Sequence, residues 1–423
     1  MHPIVCPECQ AVFRPSAIFF SGATLSWSLP PRARAAVAAC RHGMAEHMEG
    51  LAACAGARPA VAALFAPLPP PPPVPGEALD VAIAGTAHAA HVVEPRRGMS
   101  APAADDSRLA LPPDARELFG HDPGCAEILA YDFAGAELLA ACGALARDGR
   151  ILAETRYLLS DADYREELST HRPIAAFPAG KTAVLGFNFA HHNYFHWTMQ
   201  CLPAMDAALR RDDLRDPVLV LPPLTAWQEE TLALLGLDAA PRFEAGLACR
   251  YPLPAVRYSG FLNGSASFFV SPVCMDILDR MAARVDQPSG TPERLFVSRS
   301  DSATRVMTNE AEAARLAETY GFTTIVPGAY RVADQIRLFR GARQVVGAHG
   351  AGLTNLGFCR PGTRVLELFP EGYLNPVMNR IAWGRGLDYR AACFPDDGGP
   401  VPQLRTWRVD LARFERDLRA LGN

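Results

Sequence analysis

The 423-residue chain has almost no lysine: of its 41 basic residues only Lys181 is one, and the rest are arginines. With abundant alanine and 37 prolines, this reads as the mark of a GC-rich coding sequence rather than of a function. Excess positive charge is missing too. The net charge of −4 argues against non-specific nucleic-acid binding, which needs a basic face to displace counterions. No run approaches the roughly 18 uninterrupted apolar residues of a spanning helix, so any membrane association is expected to be peripheral. The apolar segment 17–29 is broken by polar residues and preceded by a single arginine, a poor signal-peptide core.

The 11 cysteines form no regular framework, and their number is odd. A reducing compartment, and hence a cytoplasmic location, is the simpler expectation. Cys6 and Cys9 have zinc-knuckle spacing, but Cys40 and Cys54 stand too far apart to supply a second CxxC pair. The chain also lacks G-x-S-x-G. "HGAG" at 349–352 superficially resembles the oxyanion loop of serine hydrolases, yet that fold requires the nucleophile elbow.

The length allows two ordinary domains and something extra. Residues 1–122 are Ala/Pro-rich and contain a polyproline run at 67–75 that cannot join a packed element, so they are expected to be irregular or accessory. Within them 32–57 reads as a helix with a weak, alanine-built apolar face. From about Cys125 the pattern becomes regular. Asp148-Gly149 between two alternating runs signals a type I′ hairpin. Strands "KTAVLGF", "PVLVLPP" and "PAVRYSG" alternate with helices through "YFHWTMQCLPAMDAALRR", "TAWQEETLALLGL" and "SPVCMDILDRMAARV", which defines an α/β domain at 123–285.

After a linker expected at 286–293 the alternation restarts, giving a second α/β domain at 294–423. Its first helix is expected to begin at Asn309, with Glu312 completing a capping box, and to end at Gly321. "HGAGLTN" (349–355) follows a buried strand, at the strand end where open α/β sheets bind ligands. It is either a tight turn or a place where N–H groups meet an anion; glycine serves both, through positive φ and close backbone approach. Gly350, Gly352 and Asn355 give G-x-G-x-x-N, one glycine short of a dinucleotide fingerprint, while Glu367 ends the next strand where a ribose-binding carboxylate often sits. A nucleotide is therefore expected, without a specific indication of NAD.

Three further groups could carry chemistry. "HHNYFHW" brings His191, His192 and His196 to a helix start, readable as a metal pair, as structural histidines or as an acid/base facing substrate. Arg299 and Arg305 follow a strand and could fork onto phosphate or form surface ion pairs. Asp161 and Asp163 form D-x-D, a pattern that arises by chance in many turns.

Taken together, "NYFHW", "FVSR" with a following Arg and "NE", and "ADQIRLFRGARQVVGAHGAGLTNLGFCRPGTRVLELFP" resemble glycosyltransferase family 61, which includes plant xylan-decorating enzymes, animal protein-O-GlcNAc-type enzymes and bacterial capsular-polysaccharide proteins. The resemblance runs from about Asp148 to the C-terminus and is densest over 294–370; the bacterial capsular branch is the expected home. It implies two facing Rossmann-like domains in the GT-B arrangement, a nucleotide-sugar donor in the second, a glycan or other hydroxyl acceptor, inversion at the anomeric carbon and no obligatory metal or other cofactor. It further implies that His349, Gly350, Ala351 and Gly352, with Asn355, cradle the diphosphate, that Arg299 and Arg305 neutralise it, and that Glu367 holds the ribose. Asn193 and His196 would lie on the acceptor side, with His196 the candidate base. The rival readings are an NAD(P)-type oxidoreductase and a non-catalytic nucleotide-binding scaffold.

Overall fold

The computed structural model describes residues 4–5, 12–13, 19–21, 24–26, 89–94, 109–112, 115–116, 119 and 128–422, without 212, 265–270, 288 and 400. The Cys6/Cys9 pair, the helix expected at 32–57, the polyproline run and most of 17–29 lie outside these residues. The chain divides into two compact units, both α/β. The first comprises Met1–Val93, Ile128–Thr225 and Ala239–Ser265; the second comprises Glu94–Glu127, Ala226–Asp238 and Ala266–Asn423.

In the first unit, β1 (Ile128–Leu139), β2 (Ala144–Arg147) and β3 (Arg150–Ile151) form an antiparallel meander. The expected hairpin is there: Arg147 pairs with Arg150, and Asp148 and Gly149 between them have φ 49° and 73°, the double positive φ that a type I′ turn demands. α1 (Asp161–Ser169) follows. Then β4 (Thr182–Leu185), β5 (Pro217–Leu221), β6 (Arg242–Glu244) and β7 (Arg250–Ser259) assemble in the order β6-β5-β4-β7-β1-β2-β3, parallel from β6 to β7 and antiparallel beyond; Ala89–Glu94 also pairs with β1. β4 and β5 are nearly continuous apolar runs because a parallel sheet is covered on both faces.

Between β4 and β5 lies α2 (Tyr194–His196), then a π turn (Trp197–Cys201), then α3 (Leu202–Leu209). The wide turn has a local cause. Pro203 has no N–H to donate and its ring crowds the carbonyl one turn back, so the chain loosens ahead of it.

The second unit is a parallel sheet of β8 (Arg294–Val297), β9 (Thr323–Ile325), β10 (Gln344–Ala348), β11 (Arg364–Pro370) and β12 (Asp388–Phe394), in the order β9-β8-β10-β11-β12, with Leu109–Ala110 on the far edge. Its helices are α4 (Ala226–Leu235), α5 (Pro272–Ala283), α6 (Glu310–Thr319), α7 (Val332–Gly341), α8 (Val377–Arg385) and α9 (Leu411–Gly422). Phe296, Val346, Leu366, Leu368 and Phe394 on one sheet face pack with Ala313 and Ala317 of α6 and with Phe414, Leu418 and Leu421 of α9. Removing the Phe414 ring from such a core costs about 3–5 kcal/mol.

Three expectations change here. α4 and α5, read into the domain at 123–285, belong to the second unit: a Cβ on Gly357 would stand 2.4 Å from the Leu278 side chain of α5, and Glu230 of α4 accepts from Val332 N and Ala333 N at the start of α7. Segment 286–293 therefore runs within that unit, between α5 and β8. Asn309 does precede α6, but its side chain makes no cap; its amide bonds Val409 N and O at 3.0 and 2.9 Å, imitating a strand partner. Gly321 closes α6 with φ 80°, as its position suggested.

Candidate functional site

From β8 the chain passes to β9 on one side and then to β10 on the other, so the strand order reverses between β8 and β10. At such a switch point the loops leaving the carboxyl ends part and open a crevice. The loops in question are Ser298-Arg299 after β8 and His349-Gly350 after β10, the stretches singled out in the sequence.

Arg299 ties the two loops together. Its Nη1 donates to the His349 carbonyl, its Nη2 to Ser302 Oγ (2.9 Å) and to Thr304 O and Oγ1 (3.2 Å each), while its backbone N–H goes to Glu310 Oε1 at 2.6 Å. Neither earlier reading of Arg299 survives intact: it forms no surface ion pair, and most of its fork is already engaged in holding the loops. Arg305 differs. Its backbone is locked at φ 50° by Gln403 O (2.9 Å) and by the Trp407 indole N–H (2.7 Å). Its guanidinium sits 4.4 Å from the centre of the Tyr373 ring, and its Nε is buried with no partner. A left-handed, non-glycine residue held by its surroundings is strain of the kind found at ligand clamps.

Electrostatics point to an anion. Burial and then the Arg305 charge bring Arg299 down to about 9, and burial lowers Arg305 as well. Among the described residues no carboxylate lies in ion-pair range of either guanidinium. A neighbouring anion would relieve both.

The glycines serve by close approach. Gly350 is extended (φ 176°) and neither it nor Gly352 lies in the left-handed region, so the left-handed role expected of them is absent. A Cβ on Gly350 would lie 2.8 Å from Arg299 Nε, and one on Gly352 3.0 Å from Pro327 Cγ. Ala351 and Gly352 open the 3-10 segment Ala351–Phe358, where the first N–H groups have no intrahelical acceptor. Asn355 is fully buried and donates to Gln335 Oε1 (2.8 Å) and Gly352 O (3.0 Å), fastening this segment to α7 rather than facing a ligand.

Glu367 also departs from expectation. It is fully buried within β11; its Oε1 lies 2.6 Å from His349 Nδ1 and its Oε2 accepts from Tyr389 Oη at 2.5 Å. With both oxygens engaged it does not present itself to a ribose. The His349 ring stacks on Phe369 at 5.0 Å and lies 5.7 Å from Tyr373. Burial drives Glu367 up to about 8, and burial with Arg305 and Arg299 drives His349 well below 6.5.

In the first unit, the other histidine sits beyond the carboxyl end of β4. Asn193 caps α2, accepting from Phe195 N (2.8 Å) and His196 N (3.3 Å). The amides around His196 can be oriented from the backbone. Ala190 N–H donates to Asn188 Oδ1, so Asn188 Nδ2 must be the donor to Gln200 Oε1 (2.8 Å). Gln200 Nε2 then donates to Tyr157 Oη (2.8 Å), and His196 Nδ1 faces two groups, Tyr157 Oη at 2.9 Å and Gln200 Oε1 at 3.1 Å: it donates to the amide oxygen in one tautomer and accepts from the phenol in the other. The tautomer that donates to Gln200 leaves the lone pair on Nε2. Burial lowers His196 to about 4, so it is neutral at neutral pH. His191 Nδ1 is turned to Asn188 O at 2.9 Å. Among the described residues no three His, Cys, Asp or Glu side chains are grouped to hold a metal ion, and no helix is long and apolar enough to cross a membrane. The D-x-D pair belongs to the start of α1: Asp163 closes a capping box with Ser160, and Asp161 pairs with Arg156.

Tyr373, Tyr389 and Trp407, which surround Arg305 and Glu367, and Tyr157 and Gln200, which hold His196, were not singled out from sequence. A usable signal existed for the first group: an acidic residue in the apolar run "RVLELFP" of a parallel strand must find a buried partner.

This geometry defines a class: a parallel α/β unit with two arginines at its switch point. Residues 194–366 match the model of the family described as Glycosyltransferase 61, which supports a relationship to that family over this stretch. The chain is 40% identical over 62 residues to the beta-1,2-xylosyltransferase RCN11 of Oryza sativa subsp. japonica, covering 15% of this chain and 12% of that protein. It is 38% identical over 58 residues to the beta-1,2-xylosyltransferase of Arabidopsis thaliana, covering 14% and 11%. The chain thus spans only about an eighth of the length of these curated relatives. Both are plant proteins, so they do not single out the bacterial capsular branch.

Proposed function

We propose that the protein is an inverting glycosyltransferase that moves a sugar from a nucleotide-sugar donor to a hydroxyl acceptor. The observation that carries this is the Arg299–Arg305 pair at the switch point beside the Gly350-Ala351-Gly352 backbone, inside the stretch that matches the family. Two half-buried guanidiniums without a carboxylate suit a diphosphate, and in sugar transfer that diphosphate is the leaving group whose growing charge needs stabilisation. Arg305 supplies the fork and Arg299 the second charge. The acceptor hydroxyl oxygen attacks the anomeric carbon as its bond to the diphosphate breaks, and the hydroxyl proton passes to a base.

His196 is the proposed base. Burial keeps it unprotonated, and as the tautomer that donates from Nδ1 to Gln200 it turns the lone pair of Nε2 to the acceptor hydroxyl. Asn193 sets the helix start that positions it. The donor is assigned to the second unit and the acceptor to the first, the division of labour that the GT-B expectation implies. The names of the plant relatives make a pentose, and UDP-xylose in particular, the first donor to try. A role in surface or capsular polysaccharide synthesis, a cytoplasmic location, peripheral membrane association at most and independence of metal belong to the same reading.

A thermal-shift panel of nucleotide sugars, followed by product analysis with glycan acceptors, tests it. Stabilisation by one nucleotide-sugar group and sugar transfer support the reading. Stabilisation by NAD(H) alone favours the oxidoreductase, and nucleotide-sugar binding without transfer to any acceptor favours the scaffold.

A further inference from the structure

Both carboxyl oxygens of Glu367 are engaged, and the role expected of it from sequence does not fit its surroundings. Its ion-pair-range neighbour among the described residues is His349, and its other oxygen takes the Tyr389 hydroxyl. The charged and titratable groups around the pair are Arg299 and Arg305 from the loop after β8, Tyr373 from the loop after β11, Tyr389 from β12 and, behind Tyr389, Arg380 from α8.

A contact of 2.6 Å between a carboxyl oxygen and a ring nitrogen holds one proton between them. If the proton resides on Nδ1, the carboxylate is ionised and the far nitrogen of the ring carries a lone pair, which repels a phosphate oxygen. If the pair holds one proton more, with one on Oε1 and the other on the far nitrogen, the carboxyl is neutral and the far nitrogen carries N–H, a donor for phosphate. An imidazolium would also donate, but it would stand beside two arginine charges. The arrangement compatible with an anion at the neighbouring arginines is the neutral acid. Burial acts in the same direction, raising Glu367 to about 8 against the lowering by Tyr389 and Arg305.

We infer that Glu367 is a positioning residue: as a neutral carboxylic acid it donates to His349 Nδ1 and so fixes His349 as an Nε2–H donor to the diphosphate of the donor substrate. The inference rests on the donor-site reading above. As charge grows on the leaving group, the proton on Oε1 can pass to Nδ1, which turns His349 into a cation and Glu367 into its counter-ion with no proton taken from solvent.

The test is calorimetric titration of the full chain with inorganic pyrophosphate, at neutral pH and well above 8, using wild type, Glu367→Gln, Glu367→Leu, His349→Ala and Tyr389→Phe. An amide imitates the neutral acid, because its N–H donates to Nδ1. At neutral pH, Glu367→Gln is expected to stay within about threefold of wild type, while Glu367→Leu and His349→Ala lose about tenfold. Raising the pH is expected to weaken wild type about tenfold more than Glu367→Gln, since the ionisation of the probe is common to both. Tyr389→Phe is expected to move the alkaline midpoint of wild type upward, because it removes a hydrogen bond that favours the carboxylate. A Glu367→Gln protein as weak as Glu367→Leu, or a pH response shared by Glu367→Gln and wild type, would overturn the inference and leave the anion site standing. Absence of pyrophosphate binding by wild type at both pH values would remove the site itself and the inference with it. If Glu367→Leu does not unfold cooperatively, the comparison of Glu367→Gln with wild type decides alone.

Discussion

The guanidinium of Arg305 lies 4.4 Å from the centre of the Tyr373 ring, on a residue whose backbone is held at φ 50°. Tyr373 thus steers the one arginine of the site whose fork is not occupied with holding loops. Replacing Tyr373 by Leu removes a cation–π contact worth about 0.5–2 kcal/mol, so affinity for a nucleoside diphosphate should fall several-fold. Calorimetry checks this. An unchanged affinity would mean that Arg305 finds its ligand without the ring.

Gly350→Ala should weaken diphosphate binding by about tenfold while leaving cooperative unfolding, because the new Cβ meets Arg299 at 2.8 Å and displaces the fork that ties the loops. Gly352→Ala meets a single proline carbon at 3.0 Å and should be milder. Comparing the two dissociation constants tests the order; a larger effect at Gly352 would contradict the tie between Arg299 and Gly350.

His196 gives the fold an acid-side dependence. Its value is about 4 in the folded chain against an ordinary 6.5, so between these limits the unfolded chain binds a proton that the folded one does not. Stability should fall as pH drops from 6.5 towards 4 and lose nothing further from this group below 4. His196→Gln should flatten that part of the curve in urea unfolding at a series of pH values. Equal acid slopes in both proteins would show that His196 is not the half-buried neutral group described. On the same grounds the acid limb of turnover should lie near pH 4 rather than 6.5.

Transfer activity should survive EDTA, since the proposed site meets the leaving group with arginines and N–H groups. Loss on chelation with rescue by Mn²⁺ or Mg²⁺ would contradict this and call for carboxylate ligands at the donor.

How far the sequence reading reached follows from what each signal encodes. Local turn chemistry was readable: Asp148-Gly149 became the hairpin it suggested, and Gly321 ended its helix. The position of "HGAGLTN" at a strand end was readable because an apolar five-residue run before it could only be a buried strand. Functions that depend on where a side chain turns were not. Glu367 ends a strand in sequence but faces inward, and its partners Tyr389 and His349 come from β12 and from the loop after β10. The amide of Asn309 matched a cap by type, yet it bonds a segment 100 residues away. Helices α4 and α5 carry periodicity that says they are amphipathic, not which sheet they cover, so their place in the second unit could not be read from it.

The central claim is that a nucleotide diphosphate binds on Arg305 beside the Gly350–Gly352 backbone. It is tested most directly by calorimetric titration of UDP into wild type and Arg305→Met. The account predicts saturable binding to wild type and a loss of about 10- to 100-fold in the variant, the worth of charge-assisted hydrogen bonds to a phosphate. Equal affinity in a variant that unfolds as cooperatively as wild type would contradict it.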